Sequence, residues 1–284
     1  MYGLPLDVRP SSPLGPPQSD RGRADSAAQP PPQASLTAPD IVGAIPARYG
    51  STRLPGKPLL PIAGRPMIEH VYRRVLGARG LSRVVVLTDD ERIARVVADF
   101  GGEVEMTPAE CASGTDRIAH AARGWPAATG VVNIQGDEPL IDPAAVSAIA
   151  EHLAAHPGDP MVTLATPLAA SDEHELASPH VVKVVVGRSG HALYFSRCAI
   201  PYARQEGGAT PLRHLGIYGY QRAALLELAA LPPTPLERSE ALEQLRALEH
   251  GIAIRVLIAG GSAPGVDTRE DLERVERLLA PEVR

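Results

Sequence analysis

The chain passes from Ile41-Val-Gly-Ala-Ile-Pro46 straight into Ala47-Arg-Tyr-Gly-Ser-Thr-Arg-Leu-Pro-Gly-Lys57-Pro58. A short apolar run closed by turn formers reads as a buried strand. The loop after it sets Arg48, Arg53 and Lys57 among small residues. Small side chains let backbone N–H groups approach phosphate oxygens, and the cations would neutralise a triphosphate. This is not a Walker A loop: the Gly-x-x-x-x-Gly-Lys-Ser/Thr spacing is absent and Pro58 follows the lysine. A solvated loop with incidental charge is the competing reading.

Outward from this passage, apolar runs alternate with segments of helical period. Met67 to Arg79 carries Ile68, Val71, Val75 and Leu76 on one face, and Val84 to Leu87 reads as a buried strand ending in Thr88-Asp89-Asp90. Ile93, Val96, Val97 and Phe100 recur at helical spacing, and Val131 to Gln135 is a strand ending in Gly136-Asp137-Glu138-Pro139. The alternation predicts an α/β domain with a largely parallel central sheet flanked by helices. Polar clusters fall at the carboxyl ends of the strands, the edge where open α/β sheets bind ligands.

In the second half, strands are expected near Val162 to Thr166, Val181 to Val186, Ala192 to Phe195 and Leu215 to Tyr220, with Gly187-Arg188-Ser189-Gly190 turning a hairpin. A helix from about Glu237 to Glu249, a strand from Ile254 to Ala259 and a helix from about Arg269 to Leu279 close the chain.

Composition narrows the function. The net charge of -5 lacks the basic footprint of a nucleic-acid binder, so positive charge for an anionic substrate must be focused locally. Of 28 basic residues only Lys57 and Lys183 are lysines. In so Arg-biased a chain, lysine is expected where a compact point charge differs from a planar fork, the alternative being chance survival on the surface. Cys111 and Cys198 are too few for a disulfide framework and lack metal-ligand spacing, which fits a reduced, cytoplasmic setting. No apolar stretch reaches the ~18 residues of a membrane span, so no membrane insertion is expected. Residues 1–40 are rich in Pro, Ser, Gly, Gln and Ala and read as a disordered tail, leaving 41–284 as a single catalytic domain.

The loop IPARYGSTRLPGKPL (Ile45 to Leu59) resembles the signature of sugar nucleotidyltransferases and is closest to the CMP-Kdo synthetase family. Further blocks of that family follow in order: SGTDR from Ser113, NIQGDEP from Asn133, VVKVV from Val181, YFSR from Tyr194, HLGIYGY from His214, LEQLR from Leu242 and GVDT from Gly265. The resemblance implies a Rossmann-like nucleotide-diphospho-sugar transferase fold with a smaller carboxyl-terminal β-containing lobe. It implies a cytidylyltransferase that joins CTP and Kdo into CMP-Kdo for lipopolysaccharide biosynthesis, with Mg2+ as cofactor and a homodimer as assembly.

Residue by residue, the resemblance assigns Arg48, Arg53 and Lys57 to the triphosphate, and Asp137 and Asp267 to magnesium, so that Lys57, Asp137 and Asp267 form the catalytic set. Magnesium favours hard oxygen ligands from one or two carboxylates, completed by phosphates and water. For Asp267 a second reading stays open, since Thr268 and Asp271 can form a helix capping box beside it. Gln135, Arg197, His214, Tyr218, Glu243 and Gln244 are assigned to the sugar acid, with Arg197 suited to a bidentate pair with its carboxylate. His214 and Tyr218 could instead be a satisfied polar pair, and Glu243 an exposed helix residue. The residues alone do not choose cytosine over uracil, nor Kdo over an amino-Kdo or another nonulosonic acid, and a non-catalytic nucleotide sensor stays open.

Overall fold

The computed structural model describes residues 39–50, 54–169, 172–205, 208–261 and 265–279; Arg53 and residues 1–38 of the expected tail lie outside them. In chain order the strands and helices are β1 (Ile41–Pro46), β2 (Pro61–Ile62), β3 (Arg65–Pro66), α1 (Met67–Leu76), β4 (Arg83–Thr88), α2 (Glu91–Asp99), β5 (Val104–Met106), α3 (Gly114–Arg123), β6 (Gly130–Asn133) and α4 (Pro143–Ala155). They continue with β7 (Met161–Pro167), α5 (Glu173–Ala177), β8 (Lys183–Val186), β9 (Ala192–Ser196), β10 (Leu212–Gln221), α6 (Arg222–Ala230), α7 (Pro235–Glu240), α8 (Gln244–Glu249), β11 (Ile254–Ile258) and α9 (Arg269–Leu279).

Among the described residues the main sheet runs in the order β11-β7-β10-β6-β1-β4-β5, with β8 and β9 added beside β10. β1 pairs in parallel with both β4 and β6, as do β4 with β5 and β7 with β11. Only β10 runs antiparallel within that row, between β6 and β7. The chain leaves β1 toward β4 and returns on its other side at β6, so the switch point of the sheet lies beyond the carboxyl ends of β1 and β6.

Alternating side chains divide the core between the faces. Ile41, Ile45, Val84, Val86, Val132 and Ile134 pack beneath α1, α2 and α4. Val42, Ala44, Val85, Leu87 and Val131 pack beneath α3, α6 and α8. Each buried aliphatic side chain contributes about 1.5–3 kcal/mol. Two caps register helices against strand ends: the Asp90 carboxylate accepts from Arg92 N at the start of α2, and Ser113 and Asp116 form a capping box at the start of α3. Gly136 allows the β6 loop to cross close to β1, since a Cβ there would stand 2.9 Å from the Pro46 carbonyl oxygen.

Two expectations need correction. Leu76 does not join the apolar face of α1: it is the last residue of that helix, turned away from the buried Ile68, Val71 and Val75, and it is exposed. The helix expected from Glu237 to Glu249 is two helices, broken at Ala241, which takes a left-handed φ of 50°. Arg197 holds this break from outside, donating Nε to Glu240 O at 2.6 Å and Nη2 to Ala241 O at 3.2 Å. Arg246 then grips Glu237 across the break, its Nε 2.9 Å from Oε2. Of the two readings open for Lys183, chance survival on the surface is excluded. It is fully buried, and its ammonium donates to the carbonyls of Ser178, Val181 and Arg197 at 2.9, 2.6 and 2.6 Å.

Candidate active site

At the switch point lies a cleft of about 450 Å³. The β1 loop contributes Arg48 and Lys57, the start of α3 contributes Ser113, Gly114 and Arg117, and the β6 loop contributes Gln135 and Asp137; Asp267 enters from before α9. Arg48 stands exposed at the rim, whereas Lys57 is largely covered. The Lys57 ammonium donates to Asp137 Oδ2 at 2.6 Å, Val266 O at 2.8 Å and Asp267 Oδ1 at 3.2 Å. An ammonium has three donors, and these contacts employ all of them. Val266 N also donates to Asp137 O at 2.9 Å, which docks the segment before α9 onto the β6 loop.

The capping box beside Asp267 is present as well. Thr268 N and Oγ1 both donate to Asp271 Oδ2 at 3.0 Å, and Asp271 N donates to Thr268 Oγ1 at 3.2 Å. Asp267 thus flanks a helix cap and also lines the cleft. Among the described residues no group of three or more His, Cys, Asp or Glu side chains converges for a metal. The donor set here is two carboxylates drawn together around a positive charge, which fits a cation that keeps much of its shell for phosphate and water.

A second group flanks the cleft along β10. Gln135 Nε2 donates to Gly216 O at 3.2 Å, leaving its Oε1 to accept. The His214 Nε2 atom lies 3.0 Å from Thr163 Oγ1, whose own proton goes to Ile217 O at 2.8 Å. His214 must then donate from Nε2, so Nδ1 is an acceptor. Burial pushes the His214 pKa down to about 3, which keeps the ring neutral. Tyr218 lies with its ring 5.3 Å from that of His214, but its buried Oη has no hydrogen-bond partner among the described residues, so the two are not a mutually satisfied pair. Burial raises the phenol pKa well above its ordinary value.

The α7–α8 break supplies the rest. Gln244 sits in the core rather than beside it, and its buried Nε2 has no partner among the described residues. Glu243 is not an exposed helix residue, since its carboxylate accepts from Ser113 and Thr115. Arg197 presents no open fork: besides the two carbonyls at the break, Nη1 donates to Pro179 O at 2.9 Å.

Some participants carried no assigned role in the sequence reading. Arg117 is almost wholly buried, paired to Asp89 at 3.1 Å, and its position within SGTDR was the available signal. Tyr49 lies under the Arg92 guanidinium at 3.4 Å, and Arg92 is itself gripped by Asp90 through Nε at 2.9 Å and Nη2 at 2.6 Å. Gly56, at φ 68°, lies against the Tyr49 ring, where a Cβ would stand 3.0 Å from the ring carbons.

Cations that face paired acids at the switch point of a mostly parallel sheet place this protein in the class of α/β nucleotidyltransferases. A cytidylyltransferase family model matches residues 42–254. The 3-deoxy-manno-octulosonate cytidylyltransferase of Myxococcus xanthus is 52% identical over 84% of this chain and 96% of its own length, and that of an Anaeromyxobacter species 54% identical over 83% and 96%. A solved CMP:2-keto-3-deoxy-manno-octonic acid synthetase complexed with CTP matches with a TM-score of 0.82 and 45% identity, over 86% of this chain and 99% of that one. This chain belongs to the 3-deoxy-manno-octulosonate cytidylyltransferase family.

Proposed function

We propose that this protein transfers the cytidylyl group of CTP to 3-deoxy-manno-octulosonate (Kdo), giving CMP-Kdo and pyrophosphate. The observation that carries the reading is the Lys57 ammonium set between Asp137 and Asp267 on the floor of the cleft. In the reaction the 2-hydroxyl oxygen of the sugar acid forms a bond to the α-phosphorus. The bond from that phosphorus to the β-phosphate oxygen breaks, pyrophosphate departs with its electron pair, and the hydroxyl proton is released. Catalysis is positioning and charge neutralisation.

Arg48 and Lys57 hold the triphosphate, and Arg53 joins them from the same loop. Because all three Lys57 donors are engaged in the free protein, binding lets Lys57 exchange an acid for a phosphate oxygen. Asp137 and Asp267 would hold Mg2+, which would neutralise phosphate charge and acidify the attacking hydroxyl. For the sugar acid, Gln135 Oε1 and His214 Nδ1 accept hydroxyl protons, while Tyr218 Oη and Gln244 Nε2 donate. A buried polar group without a partner costs about 1–3 kcal/mol, so these two unpaired atoms favour a polyhydroxyl ligand. Glu243 accepts from a further hydroxyl, and Arg197 pairs with the carboxylate by releasing one of its carbonyls.

No described helix is long and apolar enough to cross a membrane. A cytoplasmic homodimer accompanies the reading, and light scattering should give twice the 30.0 kDa chain mass. The function is tested by incubating the protein with CTP, Mg2+ and a panel of Kdo, amino-Kdo and a nonulosonic acid, with products weighed by mass spectrometry. CMP-Kdo should dominate; preference for another acid, or no CMP-sugar at all, would overturn the assignment.

A further inference from the structure

Glu243 stands in the wall proposed for the sugar acid, yet both of its oxygens are joined to the wall of the nucleotide cleft. Oε1 accepts from Ser113 Oγ at 2.8 Å and Oε2 from Thr115 Oγ1 at 2.6 Å. Ser113 caps α3, and with Gly114 it lines the cleft, while Thr115 is buried behind them. On the other side, Glu243 immediately precedes α8, whose first residue, Gln244, keeps its unpartnered Nε2 in the core.

The joint is adjustable. The single Ser113 hydroxyl proton lies between two acceptors, Glu243 Oε1 and Asp116 Oδ2, the latter at 3.1 Å. The Glu243 side chain is 32% exposed, so it has room to shift. Where two walls share one carboxylate, a ligand that orders one of them removes part of the ordering cost for a ligand on the other.

We infer that Glu243 couples the two substrate sites, so that CTP and the sugar acid each raise the affinity of the protein for the other. This rests on the proposed function, which supplies the two ligands. Linkage requires the effect to be the same in both directions.

Calorimetry with CTP and a 2-deoxy analogue of Kdo, which lacks the attacking hydroxyl, measures the coupling without turnover. CTP should bind about five- to tenfold more tightly when the analogue is saturating, and the analogue should gain the same factor from CTP. Thr115→Val removes the hydroxyl and keeps the shape at a buried position outside the cleft lining. It should bind each ligand alone within about twofold of the unsubstituted protein, with the coupling reduced to less than about twofold. Thr115→Ser should restore the coupling, and Thr115→Ala should lose it should the valine strain the site. Independent binding in the unsubstituted protein, or full coupling in Thr115→Val, would overturn the inference. Failure to bind CTP at all would instead remove the proposed function, and the coupling with it.

Discussion

Lys57 Nζ lies 2.6 Å from Asp137 Oδ2, across 80 positions of sequence. The contact ties the phosphate loop after β1 to the acid after β6, and Asp267 closes the triangle from the far end of the chain. Without a cation between them the two carboxylates would repel, so the ammonium holds the site in shape before substrate arrives.

The first prediction concerns that ammonium. Its three acceptors surround a compact point charge, which a planar guanidinium cannot match. Lys57→Arg should retain the fold, as judged by circular dichroism, and lose roughly 10²-fold in kcat/KM. Full activity would show that only charge matters at this position. Asp137→Asn should keep the fold and release no measurable pyrophosphate.

The second prediction lies one shell out. Asp90 caps α2 and grips Arg92, and Arg92 stacks on Tyr49 beside Arg48. An exposed cation–π contact is worth about 0.5–1 kcal/mol, so Tyr49→Leu should raise the KM for CTP about two- to fivefold and leave the KM for Kdo unchanged. Equal changes in both constants would remove the stack from loop positioning.

His214 supplies a pH test. Its folded pKa of about 3 lies below the ordinary 6.5, so the unfolded chain binds a proton that the folded chain refuses. The associated stability is present above pH 6.5 and is lost as pH falls from there toward 3. His214→Gln should flatten that part of the stability curve. In the unsubstituted protein the His214 ring resonances should stay constant from about pH 8 to pH 5; a midpoint near 6.5 would contradict the buried, neutral ring.

Asp159 supplies another. Burial alone would raise its pKa, but donors from His152, Arg255 and His191 outweigh burial and hold it at about 2, below the ordinary 3.8. These contacts join α4, the loop before β9 and β11, at 2.8 Å to His152, 3.0 Å to Arg255 and 3.2 Å to His191. Their stability is present above pH 3.8 and disappears as pH falls through 2. Asp159→Asn should lower stability near neutrality by about 2 kcal/mol and weaken the pH dependence below about pH 4, read from urea midpoints.

Much of this arrangement is legible in the sequence because local patterning and tertiary context agree. Ile41–Pro46 is a strand at the expected bounds, buried on both faces. The polar clusters after β4 and β6 do mark strand ends at one sheet edge. The break at Ala241 is different: nothing local forbids a continuous helix there, and the left-handed turn is fixed by Arg197, 44 positions away. Helix α3 gives a weak periodic signal because its buried face carries a single large apolar side chain, Ile118, beside three alanines, Thr115 and Arg117. Its capping box, Ser113 with Asp116, was nevertheless spelled out in SGTDR. In the site, residue types point to a phosphate cradle with acids and the family resemblance to a sugar acid, but the sharing of Lys57 between two acids, and of Glu243 between two walls, arises only from convergence in space.

The most direct test of the account is pyrophosphate release with CTP, UTP, ATP and GTP in turn, each with Mg2+ and with or without Kdo. Release with CTP alone, and only when Kdo is present, is the predicted result. Preference for another nucleotide, or release independent of Kdo, would contradict cytidylyl transfer to this sugar acid.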